Sequence, residues 1–267
     1  MPVDYHIHTK MCGHAEGEME EYIAAAQKMG LQEIGFSEHI PMYFLPAEER
    51  DPSVAMRDDE LPGYVQKVKE LQERYYPWPI KLGIEADYAL GMETKLTQIL
   101  RQHDFDYIMG SIHFINGWGF DNPAHIDNYR TCDLWELYRD YFHILGQAAA
   151  SGLFDTLAHP DLIKKFGFSP AGDLTGLYRE ALQQISDSGV CVELNTAGLR
   201  VPKKEIYPSP EFLRLCFENK VPVTLGSDAH KPGLVGADFD VATALLRTIG
   251  YKQVVMFDKR NRNYCRI

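Results

Sequence analysis

The sequence predicts an α/β fold: a parallel sheet built from crossover units and rolled into one barrel domain. Three observations point there. The chain has 267 residues, enough to bury most of its apolar surface in a single α/β barrel, although that length also suits two smaller units. Short β-rich runs alternate with longer segments of helical period. Seven of the ten histidines stand at or just beyond the end of a β run, positions that core packing does not select.

Taken in order, residues 3–7, 33–36, 80–85, 107–112, 154–158, 190–194 and 222–226 read as strands, with 253–257 a candidate eighth. Between them, Leu134, Leu137, Tyr138, Tyr141 and Leu145 form an apolar stripe at helical spacing. Leu174, Leu177, Tyr178, Ala181, Leu182 and Ile185 form another. Ser209, Pro210 and Glu211 supply an N-cap, a first-turn proline and an early acidic residue for a further helix. Residues 41–63 are the least regular stretch, punctuated by Pro41, Pro46, Pro52 and Pro62. Proline at that density resists helix and strand, so the stretch reads as a surface excursion or as a lid over a barrel rim. No internal repeat or linker divides the chain, and residues 1–267 are expected to form one domain.

Composition narrows the function. With 27 Lys and Arg against 38 Asp and Glu, the formal charge is −11. A general basic surface for nucleic acid or anionic membrane is therefore not expected, and any phosphate must be held locally. The cysteines Cys12, Cys132, Cys191, Cys216 and Cys265 lack CxxC spacing and suggest neither a disulfide framework nor a thiolate zinc site. Together with the absence of a leader-like start or a long apolar run, this favours a cytoplasmic protein.

In residues 4–8, Asp-Tyr-His-Ile-His, His6 and His8 sit at i and i+2 of a strand, so both rings face one side while Ile7 faces the packing layer. An HxH pair alone says little. Here it recurs with His39, His113, His159 and His230 at later strand ends, and with His14 shortly after the first strand. In a parallel barrel those ends share a rim, which makes distant residues neighbours. Glu85 and Asp228 close two apolar strands, where a buried carboxylate requires a cation. Many imidazoles with few carboxylates favour Zn, Mn or Fe over Mg or Ca, and nine ligands exceed what one ion accepts.

These residues, from His6 to His230, resemble the ligand set of the polymerase-and-histidinol-phosphatase (PHP) superfamily. The resemblance implies a distorted seven-stranded (β/α) barrel carrying three divalent metal ions. It implies that His6, His8, Glu85 and Asp228 hold one ion, that His14, His39 and His230 hold a second, and that Glu85, His113 and His159 hold the third. Residues 193–200, Glu-Leu-Asn-Thr-Ala-Gly-Leu-Arg, and 206–210, Ile-Tyr-Pro-Ser-Pro, resemble segments of the stand-alone histidinol-phosphatases. That second resemblance implies hydrolysis of L-histidinol phosphate to L-histidinol and phosphate, in histidine biosynthesis, by a water activated between the ions. The alternative is another small phosphate ester or a nucleotide as substrate. A metallohydrolase of a different family, or a barrel that binds a phosphometabolite without turnover, also stays open.

Around the ligands, Arg200 offers a planar donor pair for phosphate, and Lys164 and Lys165 are further candidates on a rim loop. Asp161 is a candidate proton donor to the leaving alkoxide, or a hydrogen-bonding support for a ligand ring. Glu38 and Asp87 read as such supports, Cys12 as a loop thiol, and His103, His125 and His143 receive no role.

Overall fold

Strands buried on both faces pair edge to edge, and helices must then cover the outer face. The computed structural model describes residues 3–267. In chain order the strands are β1 Val3–Asp4, β2 Glu33–Phe36, β3 Ile80–Asp87, β4 Tyr107–Ser111, β5 Phe114–Ile115, β6 Trp118–Gly119, β7 Thr156–Leu157, β8 Cys191–Asn195, β9 Val223–Gly226, β10 Gln253–Asp258 and β11 Asn261–Arg266. The helices are α1 Met19–Met29, α2 Leu61–Tyr75, α3 Glu93–Leu100, α4 Leu134–Ala150, α5 Thr175–Ser188, α6 Pro210–Glu218 and α7 Phe239–Ile249.

Seven strands, in the order β1-β2-β3-β4-β7-β8-β9, form one parallel sheet. Its two edges meet. Tyr5 N donates to Leu225 O at 3.1 Å, His8 N to Ala229 O at 3.0 Å and Ala229 N to His6 O at 3.1 Å. The result is a nearly closed, distorted (β/α)7 barrel. Asp4 reinforces the seam: its buried carboxylate accepts from Ser227 N and Oγ, Gly236 N and His6 N. No described helix is long and apolar enough to cross a membrane.

The apolar stripes lie where the periodicity placed them. Helix α5 buries Tyr178, Ala181, Leu182 and Ile185, and α4 is capped by Asp133, whose Oδ1 accepts from Trp135 N and Glu136 N. Ser209 caps α6 by accepting from Phe212 N. The excursion after β2 ends earlier than its prolines suggested: Pro62 stands in the first turn of α2, where its missing N–H costs nothing. Nor is it wholly superficial, since Met42, Tyr43, Ala55 and Met56 are buried.

The candidate eighth strand exists but does not join the barrel. β10 turns back on β11 as an antiparallel hairpin. Val255 and Phe257 pack with Val3, Tyr107 and Cys191, which start barrel strands, and with Tyr5 just past β1. The hairpin thus floors the end opposite the histidines.

Candidate metal centre

The seam of the barrel builds the first part of the site. Beyond β1, the backbone of residues 5–8 keeps extended pairing with residues on either side, Ser37 N donating to Ile7 O as well. Ile7 therefore enters the outer core while His6 and His8 point inward. Glu85 comes from β3, and His39, His113, His159, Asp228 and His230 from the residues just past β2, β4, β7 and β9. The residues at Asp228 (φ 54°) and His159 (φ 26°) leave the usual regions, turning their side chains inward. The strain at His159 is held by Glu193 Oε2, which accepts its amide at 2.6 Å.

All nine predicted ligands gather at this one end. Glu85 is the hub: Oε2 lies 3.3 Å from His6 Nε2, 3.6 Å from His8 Nε2 and 2.9 Å from His39 Nδ1. Its Oε1 lies 2.9 Å from His159 Nε2 and 3.7 Å from His113 Nε2. Asp228 Oδ1 lies 3.2 Å from His8 Nε2, 3.4 Å from His230 Nδ1 and 3.8 Å from His6 Nε2. His14 completes the group through its ring, 4.6 Å from that of His230 and 5.7 Å from that of His39.

Carboxylates stand behind several of these rings. Glu193 Oε1 is 2.8 Å from His6 Nδ1, Glu38 Oε1 is 3.3 Å from His8 Nδ1, and Asp87 Oδ1 is 3.0 Å from His113 Nδ1. Glu38 and Asp87 thus occupy the supporting positions expected of them. Glu193 was not foreseen, although it carries the same signal as Glu85, an acidic residue inside an apolar strand. Space for it exists because residue 226 is glycine: a Cβ there would lie 1.8 Å from Glu193 Oε1.

Electrostatics follow from this crowding. Burial alone would lower the His6, His8 and His113 pKa values, but adjacent carboxylates outweigh it, raising His8 to about 9 and His113 to about 10. Burial would raise Glu85 and Asp228, but the surrounding imidazoles hold both well below the usual carboxylate range. His14 and His230 are lowered, by burial and then by neighbouring imidazoles. The pocket as a whole attracts positive charge.

The donor set fits divalent ions. His6 Nε2, His8 Nε2, Glu85 Oε2, His159 Nδ1 and His230 Nε2 are all buried without a hydrogen-bond partner. Such atoms cost about 1–3 kcal/mol each unless something binds them. Glu38, Glu85, Asp87, Glu193 and Asp228 are paired to imidazoles, and no described lysine or arginine pairs with any of them. Several triads, including His6, His8 and Glu85, bring one ligand atom each within 4.8 Å of one another.

Comparison with known proteins agrees with this chemistry. The family model for the PHP domain matches residues 4–197, well over half of the chain. This chain belongs to the PHP-domain family. Among curated relatives, the "probable histidinol-phosphatase" of Deinococcus radiodurans is 39% identical over 252 residues, covering 94% of this chain and 95% of that protein. The histidinol-phosphatase of Bacillus subtilis is 28% identical, covering 89% and 96%. The fold matches that of the Lactococcus lactis histidinol phosphate phosphatase, solved with zinc, L-histidinol and phosphate, at a TM-score of 0.80 over 98% of each chain and 22% identity.

Within this PHP domain the expected phosphate and proton-transfer residues sit differently from the ligands. A cavity of about 260 Å³ bordered by His14, His39, Glu85, His159 and Asp228 also takes in Lys165 and Asp121. Lys164 is not on it. Its buried ammonium is held by Asp161 Oδ2 at 3.0 Å, Glu205 Oε2 at 2.8 Å and Ile206 O at 2.9 Å. Asp161 also faces away, its Oδ2 accepting from Ser209 N at 2.7 Å. The Arg200 guanidinium binds Asp238, at 3.0 Å, and the carbonyl of Ser227, beside Asp228 rather than in the cavity. Lys165 instead donates to Asp121 Oδ2 at 3.0 Å and to its carbonyl at 2.9 Å. The excursion and His125, given no role above, line an adjoining cavity of about 300 Å³ that shares His14, His39, His113, Asp121 and Lys165. A larger cleft of about 920 Å³ opens at the opposite end, near Lys69, Arg101 and Lys259, and holds none of the nine ligands.

Proposed function

We propose that the chain is a metal-dependent phosphomonoesterase that hydrolyses L-histidinol phosphate to L-histidinol and inorganic phosphate. The observation that carries this reading is the convergence of seven imidazoles and two carboxylates from six of the seven barrel strands and the loops that follow them, with five of their buried atoms unpartnered. The names of the near-full-length relatives support the substrate.

In this reading the nine side chains divide as the family pattern implies: His6, His8, Glu85 and Asp228; His14, His39 and His230; and Glu85 with His113 and His159. Three ions also suit the charge. Two divalent ions would leave the five surrounding carboxylates in excess, whereas three turn the pocket net positive, the sign a phosphate dianion requires. Imidazole-rich ligation favours Zn, Mn or Fe. When bound, such ions neutralise the dianion and bring water to its deprotonated form near neutral pH.

The chain's own groups do the rest. Lys165, held by Asp121 at the junction of the two cavities, is the cation that orients phosphate, in place of Lys164. Arg200 acts indirectly by fixing the carbonyl of Ser227 and so the turn that presents Asp228. Asp161 keeps a supporting role, pinning Ser209 and Lys164 below His159. The adjoining cavity, walled by Met42, Val54, Phe114 and Pro123 with His125 and Asn122, takes the organic end of the ester. The setting is a reduced cytoplasm, in which the five unpaired thiols persist.

The test is phosphate release from L-histidinol phosphate beside other small monoesters, using protein of measured metal content. Preference for histidinol phosphate, lost on metal removal and restored by Zn or Mn, is the expected result. Full turnover by metal-stripped protein would overturn the mechanism; a stronger preference for another ester would overturn the substrate.

A further inference from the structure

The imidazoles of the centre differ in what stands behind them. His6, His8 and His113 turn Nδ1 to the buried carboxylates of Glu193, Glu38 and Asp87. His14 alone turns its Nδ1 only to backbone carbonyls, Cys12 O at 3.0 Å and Ser53 O at 3.1 Å, while His230 Nδ1 meets Asp228 O at 3.1 Å and its Oδ1 at 3.4 Å, and His39 Nδ1 meets Glu85 Oε2 at 2.9 Å. A carboxylate behind an imidazole makes it a stronger donor than a carbonyl does, and outer partners of this kind alter metal affinity by about 10–100-fold. Exposure runs partly the same way: His6, His8, Glu85, His113 and His159 are buried, His39, His230 and Asp228 are partly exposed, and His14 is the most exposed of the nine. The set of His14, His39 and His230 is also the one that contains no carboxylate.

One of those carbonyls comes from far along the chain. Ser53 belongs to the excursion between β2 and α2, and reaches His14 because the two backbones touch at residue 13. Gly13 has φ +83°, and a Cβ there would lie 2.3 Å from Pro52 O and 2.7 Å from Ser53 Cα. The exposed Asp51 braces the Ser53 peptide: its Oδ1 accepts from Ser53 N at 2.8 Å, and its carbonyl accepts from Val54 N at 3.2 Å.

We propose that the ion held by His14, His39 and His230 is the exchangeable member of the cluster, and that Ser53 sets its retention by fixing the His14 ring. The excursion then acts as a positioning strap for one ion, not only as a cavity wall. This rests on the three-ion reading above and adds an order to it: the outer ion leaves first, and the strap controls how readily.

The experiment starts from holoprotein with measured Zn or Mn content and dialyses it against increasing dipicolinate, following bound metal by elemental analysis and fold by far-UV circular dichroism. Wild type should lose one equivalent well before the other two. His14→Ala should hold one ion fewer from the start. Asp51→Ala, a surface change, and Gly13→Ala should release the first ion at about tenfold lower chelator while the remaining two leave as in wild type. Loss of all three ions in a single step, three ions in His14→Ala, or wild-type release curves in both strap variants would overturn the proposal. Fully active wild type that never binds more than one ion would instead overturn the three-ion reading beneath it.

Discussion

Glu85 places two oxygens among five imidazoles. Glu85→Gln keeps the shape and removes the charge, so kcat should fall by about a thousandfold or more together with bound metal, as assayed by turnover and elemental analysis. The neighbouring lysines make a sharper comparison. Lys165→Ala should raise KM for the phosphate ester about tenfold. Lys164→Ala should leave KM nearly unchanged but cost about 3 kcal/mol in denaturant melts, because it strands the buried Asp161. Burial also raises Asp161 to about 6 from 3.8. Its folded form therefore holds the extra proton, and the stability this gives is lost as pH rises from 3.8 through about 6. In metal-stripped protein, Asp161→Asn should gain on wild type in melting temperature across that interval and keep a constant offset above it. The nine candidate ligands were legible because all but His14 stand on or just past a barrel strand, where barrel geometry decides the direction of the side chain, and His14 lies in the loop that follows the first strand. Lys164 and Lys165 were not separable, since adjacent residues at a 3-10 turn point about 120° apart and nothing local says which faces inward.

At the scale of elements, the seam between β1 and β9 depends on Asp4, which accepts four hydrogen bonds from beyond its own residue. Asp4→Ala would leave those donors buried and unpaired, and should cost about 3–5 kcal/mol in a denaturant melt. The floor hairpin gives a contrasting case. Phe257→Ala opens a void against Tyr5 and Tyr107 and should cost about 3–5 kcal/mol while leaving kcat of the folded protein unchanged. The apolar run of residues 253–257 suggested an eighth strand but not its partner. Its turn uses Lys259 and Arg260 at φ 49° and 66°, a conformation usually signalled by Asn or Gly, so the reversal left no mark in composition. The hairpin of β5 and β6 is the opposite case: Asn116-Gly117 is a strong turn signature.

For the whole molecule, the seven barrel strands, drawn from residues 3–226, form one parallel sheet whose edges meet at a seam. Stripping the ions should lower the melting temperature by about 10 °C or more, because ions that bind only the folded chain add their binding free energy to its stability, while far-UV circular dichroism keeps its folded form. The apolar layers beneath the rim contain no ligand and should persist. The seam has a further consequence for how the protein is made. Asp4 and Ser227 are 223 positions apart, so on the ribosome the nascent β1 emerges long before the edge it must join. The emerging β1 must wait, its edge unpaired, through nearly the whole of translation, and that interval is when chaperone capture or mispairing competes with folding.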